Sequence, residues 1–468
     1  MFDLAVIGGG PAGYAAAVRA AQKGARVALI ESDRLGGTCL NRGCIPTKAL
    51  LQTAEIYAAV RRASAFGVKV SGVELDYGAA VDRKDAVVDG LVKGLEQLMK
   101  ARRVEVLAGR GEIPQPGRVR VAGPGGAREI EAGRLIIATG SRAVAPPVPG
   151  IGSPLVLDSN RALAVRDVPP SLAVIGGGVI GIEMATLFAG LGSSVTVVEV
   201  LPEILPGVDR ELKQRLALLL KRSGIAIRVS TRVAEVWETD EGRVLLRLSE
   251  TGGSESVLEA HRVLLAAGRT PNFGGIDLER LGVAHSRAGI KVDRTMATSV
   301  PGIWAAGDVI GGLLLAHVAM HEGLTAADNA LGGAREADYE SVPYCIFSRP
   351  ELAGVGLTED RARERGVPYA VGRFPFSANG KAQVQGEKDG LVKVLAGEDG
   401  RVLGVHILGP HASELIHEGA LAVRLGARVG DLAHMLHAHP TLSEALGEAA
   451  HDVTGEAVHL LPRKERPV

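Results

Sequence analysis

Two cysteines close together in the sequence are the residues best suited to redox chemistry. Cys39 and Cys44 stand five positions apart in the segment GGTCLNRGCIPTK, residues 36–48, and the whole chain of 468 residues has only three cysteines. A dithiol beside a bound redox cofactor is the minimum requirement for passing an electron pair between a thiol and that cofactor. Spacing alone leaves an inert buried pair as an alternative. A structural zinc site is disfavoured because the chain has no second cysteine pair.

A histidine-rich segment near the C-terminus could supply proton transfer. His434, His437 and His439 lie close together, and Glu444 follows five positions after the last of them. Imidazole titrates near neutral pH, so His439 is suited to accept a proton from a thiol. The carboxylate of Glu444 can orient that imidazole and raise its basicity. A metal site built from the three histidines is the alternative interpretation.

The N-terminal segment predicts a dinucleotide-binding unit made of a strand, a glycine turn, a helix and a second strand, at residues 4–7, 8–13, 14–23 and 26–30. Gly8 permits the tight turn, Gly10 lets the backbone approach a pyrophosphate, and Gly13 lets helix and strand pack closely. The N-terminus of the helix offers N–H groups and a partial positive charge to phosphates. Glu31 ends the second strand, where its carboxylate can bind a ribose diol.

The same unit returns later in the chain, at residues 172–175, 176–181, 182–191 and 194–198. Its turn again has glycines at the first, third and sixth positions, Gly176, Gly178 and Gly181, and its second strand again ends at an acid, Glu199. The first glycine and the acid are 23 positions apart in both units. One glycine turn is a weak signal, but two complete units at one spacing strongly indicate two dinucleotides.

Glu199 also predicts which nicotinamide cofactor binds. A carboxylate at this position binds a ribose 2′-hydroxyl and repels a 2′-phosphate. Residues 200–208 contain no Arg or Lys that could take its place, so NAD is favoured over NADP. Two units in one chain fit a dehydrogenase that holds a flavin and a nicotinamide.

The composition disfavours several classes of protein. Hydrophobic residues make up 46% and charged residues 23% of the chain, and the formal net charge is zero. This balance gives no reason to expect nucleic-acid binding, and three cysteines are too few for a disulfide-stapled secreted scaffold. Apolar stretches fall far short of the ~20 residues of a membrane helix, and no signal-peptide pattern precedes the first strand. We therefore expect a cytoplasmic protein, with the basic residues 463–466 in a solvated terminus.

These segments together resemble the flavoprotein disulfide reductases, the family of dihydrolipoamide dehydrogenase, glutathione reductase and mercuric reductase. The resemblance covers essentially the full length. The matching segments are the two glycine turns, residues 36–48, 136–140, Glu183, and residues 266–272, 305–308 and 439–444. Within the family, residues 39–41 and 45–51 are most similar to the dihydrolipoamide dehydrogenases.

The resemblance implies an α/β fold with two Rossmann-like dinucleotide-binding domains, for FAD and NAD, and a C-terminal α+β dimerisation domain. The implied boundaries are residues 1–148 for the FAD-binding domain, 149–267 for the NAD-binding domain, 268–338 for the continuation of the FAD domain, and 339–468 for the dimerisation domain. Prolines at residues 146–149 and 169–170 suit joints between these parts.

The resemblance also implies roles for the reactive side chains. Cys39 and Cys44 are expected to form the redox disulfide, with Cys39 as the interchange thiol and Cys44 against the flavin as the charge-transfer thiolate. Both are expected near the start of one helix that runs past Leu51, whose dipole stabilises thiolates. His439, oriented by Glu444, is expected to act on the disulfide of the other subunit.

Further positions are expected to hold the cofactors. Lys48 and Glu183 are expected to pair near the flavin, where a cation favours the electron-rich ring. Asp308 is expected to bind the ribityl chain of FAD, and Ala316 to offer its backbone N–H to the ring. Three glycines complete the implied contacts, namely Gly111 and Gly140 beside the adenine and Gly268 beside the nicotinamide nucleotide.

The resemblance predicts an enzyme that oxidises a dihydrolipoyl dithiol and transfers a hydride through FAD to NAD⁺. Its expected partners are a second copy of itself and a lipoyl-bearing subunit of a 2-oxoacid dehydrogenase or glycine cleavage complex. No metal, nucleic acid or membrane partner is expected.

Particular residues disfavour assignment of the chain to other enzymes of the same fold. A glutathione-type reductase should have basic residues after the second dinucleotide-binding unit, and Glu199 disfavours this assignment. A mercuric reductase should have a second cysteine pair near the C-terminus, and a transhydrogenase should lack one redox cysteine. A non-catalytic scaffold would be free to lose Cys39, Cys44 or His439, all of which are present. A paralogue that acts on another disulfide stays open.

Two features have no explanation in the sequence. Arg42 stands next to the cysteines, where it could tune thiol acidity, contact a partner or simply be exposed. The segment Met320-His321-Glu322 is unusual and has no evident physical role.

Overall fold

The computed structural model describes residues 1–461, so the basic residues 463–466 lie outside the described residues. Its α-helices in chain order are α1 (Pro11–Gln22), α2 (Gly37–Arg42), α3 (Cys44–Arg61), α4 (Tyr77–Ala101), α5 (Ser159–Ala162), α6 (Val179–Gly190), α7 (Arg210–Arg222), α8 (Leu278–Leu281), α9 (Ala316–Ala330), α10 (Glu359–Glu364), α11 (Gly380–Gln385), α12 (Ala412–Leu425), α13 (Val429–Ala433) and α14 (Glu444–Thr454).

Its strands in chain order are β1 (Leu4–Ile7), β2 (Val27–Glu31), β3 (Glu105–Ala108), β4 (Arg110–Gln115), β5 (Arg118–Gly123), β6 (Gly126–Glu131), β7 (Leu135–Ile137), β8 (Ser141–Ala143), β9 (Val156–Asp158), β10 (Ser171–Ile175), β11 (Ser194–Val198), β12 (Ala226–Arg228), β13 (Thr231–Glu238), β14 (Val244–Glu250), β15 (Glu255–Ala260), β16 (Arg262–Leu265), β17 (Arg269–Pro271), β18 (His285–Ser286), β19 (Gly289–Ile290), β20 (Ile303–Ala305), β21 (Tyr344–Ile346), β22 (Glu351–Gly356), β23 (Tyr369–Pro375), β24 (Leu391–Gly397) and β25 (Val402–Gly409).

The described residues divide into two units. The first comprises Met1–Pro147, Leu157–Val168 and Leu265–Ala337. The second comprises Val148–Val156, Pro169–Leu264 and the described chain from Asp338 onward.

A five-stranded sheet, ordered β20–β7–β1–β2–β3, forms the centre of the first unit. All its pairings are parallel, and Ile7 of β1 pairs with Ile30 of β2 and Ile137 of β7. Leu4 and Val6 belong to the core that includes α1 and α9, while their neighbours along β1 belong to the core that includes β5. Because both faces are covered, β1 is apolar throughout, as its sequence indicates.

The second unit contains the other predicted dinucleotide unit and a separate antiparallel sheet. β10, β11 and β12 pair in parallel, with Ile175 opposite Val198. Further along the chain, β21–β22–β25–β24–β23 form an antiparallel sheet whose core includes residues of α12 and α14. The structure therefore confirms an α/β fold with two Rossmann-like units and a C-terminal α+β part.

Both glycine turns lead into helices that begin three residues earlier than their sequence patterns predict. α1 begins at Pro11 rather than Tyr14, and α6 begins at Val179 rather than Ile182. Proline is well suited to the first helical position, because the N–H that it lacks has no intrahelical partner there. No side chain caps either N-terminus. The first N–H groups of both helices are therefore available to a ligand.

Two helices contain the cysteines, so the prediction of one continuous helix was wrong. α2 ends at Arg42, Gly43 has φ −138° and ψ −108°, and α3 begins at Cys44. A Cβ on Gly43 would lie only 3.0 Å from the carbonyl oxygen of Thr38, so a residue without a side chain suits this bend. The break places Cys44 in the first turn of α3 and Cys39 in the helix before it.

Gly13→Ala is expected to destabilise the first unit by about 1–3 kcal/mol, the usual penalty for overpacking. The new Cβ would lie 1.7 Å from the carbonyl oxygen of Gly8, so α1 would have to move away from β1. Denaturant unfolding and the flavin content of the purified protein measure the effect. Gly90→Ala in α4 is the control, because a Cβ there meets no atom within 4 Å and a helical alanine gains about 1 kcal/mol. Equal stability of the two variants would contradict this account.

None of the helices within residues 1–461 is both long enough and apolar enough to cross a membrane.

Candidate active site

Cys39 and Cys44 are in direct contact in the first unit. Both side chains are partly buried thiols, and they share a hydrogen bond. This hydrogen bond and burial raise the pKa of Cys39, whereas the positive charge of Lys48 lowers it. The contact with Cys44 therefore opposes ionisation of Cys39, and the stabilisation of the thiolates by the helix dipole stays a prediction. Two thiols in contact can exchange an electron pair by closing into a disulfide.

Arg42 forms an ion pair with Asp33 at the surface. The two side chains are 42% and 52% exposed, and pairs of this kind contribute little to stability. Because Asp33 balances its charge, Arg42 fits an exposed surface residue better than one that tunes thiol acidity.

His439 and Glu444 are joined by a hydrogen bond in the second unit. Nδ1 of His439 lies 2.8 Å from Oε1 of Glu444, and Oε2 of Glu444 accepts the N–H of Thr441 at 2.7 Å. Burial opposes ionisation of Glu444, but these two hydrogen bonds outweigh it and lower its pKa. The His439 side chain is 78% exposed. The carboxylate therefore fixes one ring nitrogen and leaves the other for proton transfer at the surface.

The neighbouring histidines have contacts of their own. Nε2 of His437 lies 3.1 Å from Oε1 of Glu418, and the ring of His434 meets that of His451 edge to face at 5.7 Å. Within residues 1–461, no group of three or more His, Cys, Asp or Glu side chains is arranged to hold a metal ion. The metal-site interpretation thus has no support in the described chain.

The first glycine turn has the space and the donors that an ADP moiety needs. A Cβ on Gly8 would lie 2.2 Å from the carbonyl oxygen of Ala138, whereas one on Gly10 would meet nothing closer than 3.8 Å. The backbone at Gly10 is therefore open to a pyrophosphate. Oε2 of Glu31 accepts the N–H of Gly9 at 2.6 Å, and the carboxylate keeps lone pairs for ribose hydroxyls. These residues fit FAD.

A cavity of about 460 Å³ opens beside Glu31. Met99 and Val104 give it apolar walls, and Arg34 and Lys100 lie at its polar side. Its volume and mixed lining suit an adenosine group. Sequence reasoning missed Met99, Lys100 and Val104, because α4 and the residues that follow it lie far along the chain from the glycine turn.

The predicted ribityl ligand, Asp308, is held by two residues that sequence reasoning missed. The Ser141 hydroxyl donates to its carboxylate, and Arg269 Nε lies 4.0 Å from the same oxygen. Arg269 also donates to the Ser141 hydroxyl at 2.8 Å and to its carbonyl at 2.9 Å. Arg269 lies in residues 266–272, one of the segments that resemble the family, and this resemblance could have indicated its role.

The segment 320–322 supports the same region. The Glu322 side chain is almost fully buried on α9, and its Oε2 accepts the N–H of Gly307 at 2.8 Å. The Tyr14 hydroxyl lies 3.8 Å from Sδ of Met320. Since Gly307 directly precedes Asp308, Glu322 helps to fix the predicted ribityl ligand.

Four further predicted cofactor positions have no polar side chain and can contact a cofactor only through the backbone. Ala316 is the first residue of α9, whose N-terminus has no side-chain cap. Gly140 and Gly268 have φ of 72° and 117°, which favours glycine at both positions. A Cβ on Gly111 would lie 2.8 Å from Cγ2 of Ile7, so packing explains its lack of a side chain. Their contacts with cofactors stay predictions.

The second glycine turn repeats the arrangement of the first. The N–H of Gly177 donates to Oε2 of Glu199 at 2.6 Å. A Cβ on Gly181 would lie 2.0 Å from the carbonyl oxygen of Gly176, whereas one on Gly178 would meet nothing within 4 Å. The second unit therefore fits a second dinucleotide.

Glu183 is buried on α6, where its Oε1 accepts the backbone N–H of Phe347 at 3.1 Å. This contact holds the carboxylate in one place. Its pairing with Lys48 stays a prediction.

Glu199→Ala is expected to lower kcat/KM for NAD⁺ by about 10- to 100-fold, the usual loss for a hydrogen bond to a charged group. The variant loses both the acceptor for the 2′-hydroxyl and the charge that repels a 2′-phosphate. Its preference for NAD⁺ over NADP⁺ should therefore also fall. Steady-state kinetics with both nucleotides measure this. Glu241→Ala, at a 79% exposed side chain, is the control, and equal kinetics of the two variants would contradict the role of Glu199.

Comparison with known families identifies the family of the chain. Residues 2–323 match the family described as pyridine nucleotide-disulphide oxidoreductase, and residues 342–450 match its dimerisation domain. The chain belongs to this family. This confirms the resemblance found in the sequence, and the protein is an FAD-containing disulfide oxidoreductase with a dimerisation domain.

Curated relatives match over nearly the whole chain. A dihydrolipoyl dehydrogenase of Bacillus subtilis is 42% identical over 469 residues, covering 98% of this chain and 99% of the relative. The dihydrolipoyl dehydrogenase of Thermus scotoductus is 43% identical and covers 99% of each chain. A leghemoglobin reductase of Glycine max is 41% identical, covering 96% of this chain and 87% of that protein.

Solved structures of the same fold are also similar. LpdA from Mycobacterium tuberculosis superposes with a TM-score of 0.88 at 31% identity, covering 96% of this chain and 99% of LpdA. A Cu(II) complex of the HOCl-induced flavoprotein disulfide reductase RclA from Escherichia coli has a TM-score of 0.87 at 32% identity, covering 96% and 98%.

Proposed function

We propose that this protein is a dihydrolipoamide dehydrogenase that oxidises a dihydrolipoyl dithiol and reduces NAD⁺. The contact between the Cys39 and Cys44 thiols, in the unit that fits FAD, is the observation that carries the proposal. The full-length similarity to dihydrolipoyl dehydrogenases at 42–43% identity supports this choice of substrate within the family.

The two cysteines exchange disulfide for dithiol. In the oxidised protein, a substrate thiolate attacks the Cys39 sulfur and releases Cys44 as a thiolate. The second substrate thiol then attacks the mixed disulfide, which closes the lipoyl disulfide and leaves Cys39 reduced. This order leaves the negative charge of the first step on Cys44, the sulfur that we assign to the flavin side of the pair.

His439 supplies the base for this exchange. Its free ring nitrogen takes the proton from the attacking thiol, and Glu444 holds the other nitrogen and stabilises the imidazolium. Because the His439 side chain is exposed, we place it at the disulfide of a second subunit, so that a homodimer has two complete sites.

The cofactors fit the two glycine turns. FAD, when bound, would supply two-electron chemistry between the dithiol and NAD⁺. Gly8, Gly10, Gly13 and Glu31 would hold FAD, and Glu199 with its glycine turn would hold NAD. Asp308, fixed by its neighbours, would orient the ribityl chain.

The remaining assignments follow from the same proposal. The partner is a lipoyl-bearing subunit of a 2-oxoacid dehydrogenase or glycine cleavage complex, in the cytoplasm. The functional boundaries are residues 1–148 and 268–338 for FAD, 149–267 for NAD and 339–468 for dimerisation.

A steady-state assay tests the substrate assignment. The purified yellow protein should reduce NAD⁺ with dihydrolipoamide far faster than it reduces NADP⁺, and should not turn over glutathione. A protein that binds flavin but turns over none of these pairs would refute the proposal. Turnover of another dithiol with NAD⁺, but not of dihydrolipoamide, would show that the protein is a paralogue of the same family with a different substrate.

A further inference from the structure

A loop covers the second glycine turn. Residues 200–208 start directly after Glu199 and fold back, so that the N–H of Leu205 donates to the carbonyl of Gly177 at 2.9 Å. Ile204 lies against the same glycine, where a Cβ would be 2.8 Å from its Cγ2. Loop 200–208 therefore sets the position of the turn and of the carboxylate that bonds to it.

The surrounding structure holds this loop in an unfavourable conformation. Leu205 has φ 54°, in the left-handed region, and its side chain is only 1% exposed. A leucine stays in this region only where its surroundings impose it. At the start of the loop, the N–H of Leu201 donates to Oε1 of Glu199 at 2.8 Å.

The other end of the loop is held by a buried ion pair. Asp209 caps α7 by accepting the N–H groups of Glu211 and Leu212 at 3.1 and 3.3 Å. Nζ of Lys393 lies 3.1 and 2.9 Å from its two carboxylate oxygens, and both side chains are 1% exposed. A buried charge of either sign is costly without the other, so Asp209 and Lys393 fix each other's position.

A second layer of charges surrounds this pair. Lys393, on β24, also contacts Glu359 and lies 3.4 Å from Glu211. Arg373, on β23, lies 2.8 Å from Glu211 and 2.9 Å from Glu359. Burial opposes ionisation of both glutamates, but the bonds to Arg373 and Lys393 lower their pKa values. Glu211 also pairs with Arg215, and Glu359 with Arg363, at 3.0 and 3.3 Å. Without Lys393, these two glutamates would keep arginine partners, whereas Asp209 would lose the cation that lies against its carboxylate.

We propose that Lys393 is a positioning residue for the pyridine-nucleotide site, acting through Asp209 and loop 200–208 on Glu199. Lys393 belongs to the C-terminal antiparallel sheet, so a residue of the part that matches the dimerisation domain sets nucleotide affinity and selectivity. The inference rests on the use of NAD in the proposed function, but not on the identity of the dithiol substrate.

Lys393→Met in the flavin-loaded protein tests the proposal. Calorimetric titration with NAD⁺ and NADP⁺ should show affinity for NAD⁺ reduced on the order of tenfold, together with a weaker preference over NADP⁺, because the loop shifts. The KM for NAD⁺ should rise with kcat retained, and flavin reduction by dihydrolipoamide in rapid mixing should be unchanged. Lys388→Met, at an exposed lysine following α11, is the matched control and should bind as the wild type does.

Asp209→Asn in the Lys393→Met background provides the rescue. Asparagine keeps the capping oxygen and removes the carboxylate charge left without its partner, so NAD⁺ affinity should recover toward the wild-type value. A merely structural role would lower thermal stability in Lys393→Met without changing affinity or selectivity.

Unchanged NAD⁺ affinity and selectivity in flavin-loaded Lys393→Met would overturn the proposal. If that variant does not retain flavin, Arg373→Met decides by the same titration, since its side chain is 39% exposed. A several-fold loss of NAD⁺ affinity there supports the proposal, and unchanged affinity refutes it. Failure of the wild type to oxidise dihydrolipoamide would overturn the proposed substrate alone, because the titration reports binding directly.

Discussion

Cys44→Ser abolishes turnover with dihydrolipoamide, lowering kcat on the order of 10³-fold or more, as loss of an essential reacting group does. Serine cannot form a disulfide, so Cys39 has no sulfur to exchange with and the electron pair cannot leave the substrate. The long-wavelength absorbance band of the two-electron-reduced protein should disappear as well. Steady-state assays and anaerobic titration with dithionite measure the two effects separately.

Two further variants control this experiment. Cys39→Ser should lose dithiol turnover to the same extent, because it removes the interchange sulfur. Cys345→Ser should behave as the wild type, since Cys345 is a partly buried residue of β21 whose sulfur lies 4.0 Å from the carbonyl of Ser413. Undiminished turnover in Cys44→Ser would remove the thiol pair from the mechanism.

His439→Gln is expected to lower dithiol turnover by about 10²- to 10⁴-fold, the usual contribution of a general base. Electron transfer from NADH to a dye bypasses the thiols and should be retained, so the ratio of the two activities isolates the proton-transfer step. His459→Gln is the matched control, because His459 is also exposed and its Nδ1 lies 2.7 Å from a carboxylate oxygen of Glu448. Equal dithiol activity of the two variants would exclude His439 as the base.

Glu444→Gln should also lower dithiol turnover, because the base stays but loses the charged partner that orients it and stabilises its imidazolium. The lowered pKa of Glu444 also sets a pH window. A carboxyl whose pKa is depressed on folding stabilises the structure above its ordinary value, near 4.3, and loses that contribution as pH falls through the folded value. The contact between Glu444 and His439 should therefore remain intact across neutral and mildly acidic pH.

The parts of the fold that depend on local pattern could be predicted from the sequence. β1 is predicted by its apolar run, and the turn after it by its glycines. At Gly8 and Gly13 a Cβ would clash with a backbone carbonyl oxygen, so only glycine fits. The pair of His439 and Glu444 lies within one short segment, and the resemblance of residues 439–444 to the family indicated it. Helix starts were less predictable, since Pro11 suits a turn as well as a first helical position.

The parts that depend on distant contacts could not be predicted. The raised pKa of Cys39 depends on the bend at Gly43, which brings the two sulfurs together and withdraws them from water. Ser141, Glu322 and Lys393 act on residues far away in the chain, and nothing in their own neighbourhood indicates a partner. Such pairings are set by the tertiary fold, and sequence periodicity carries no information about them.

The exposed His439 has a genetic consequence. If each site combines the cysteines of one chain with the histidine of another, chains damaged at different points can complement each other. A hybrid of a chain without Cys44 and a chain without His439 would keep one intact site and concentrate both defects in the other. Two alleles that are each inactive could then support growth together, whereas two alleles with the same defect could not.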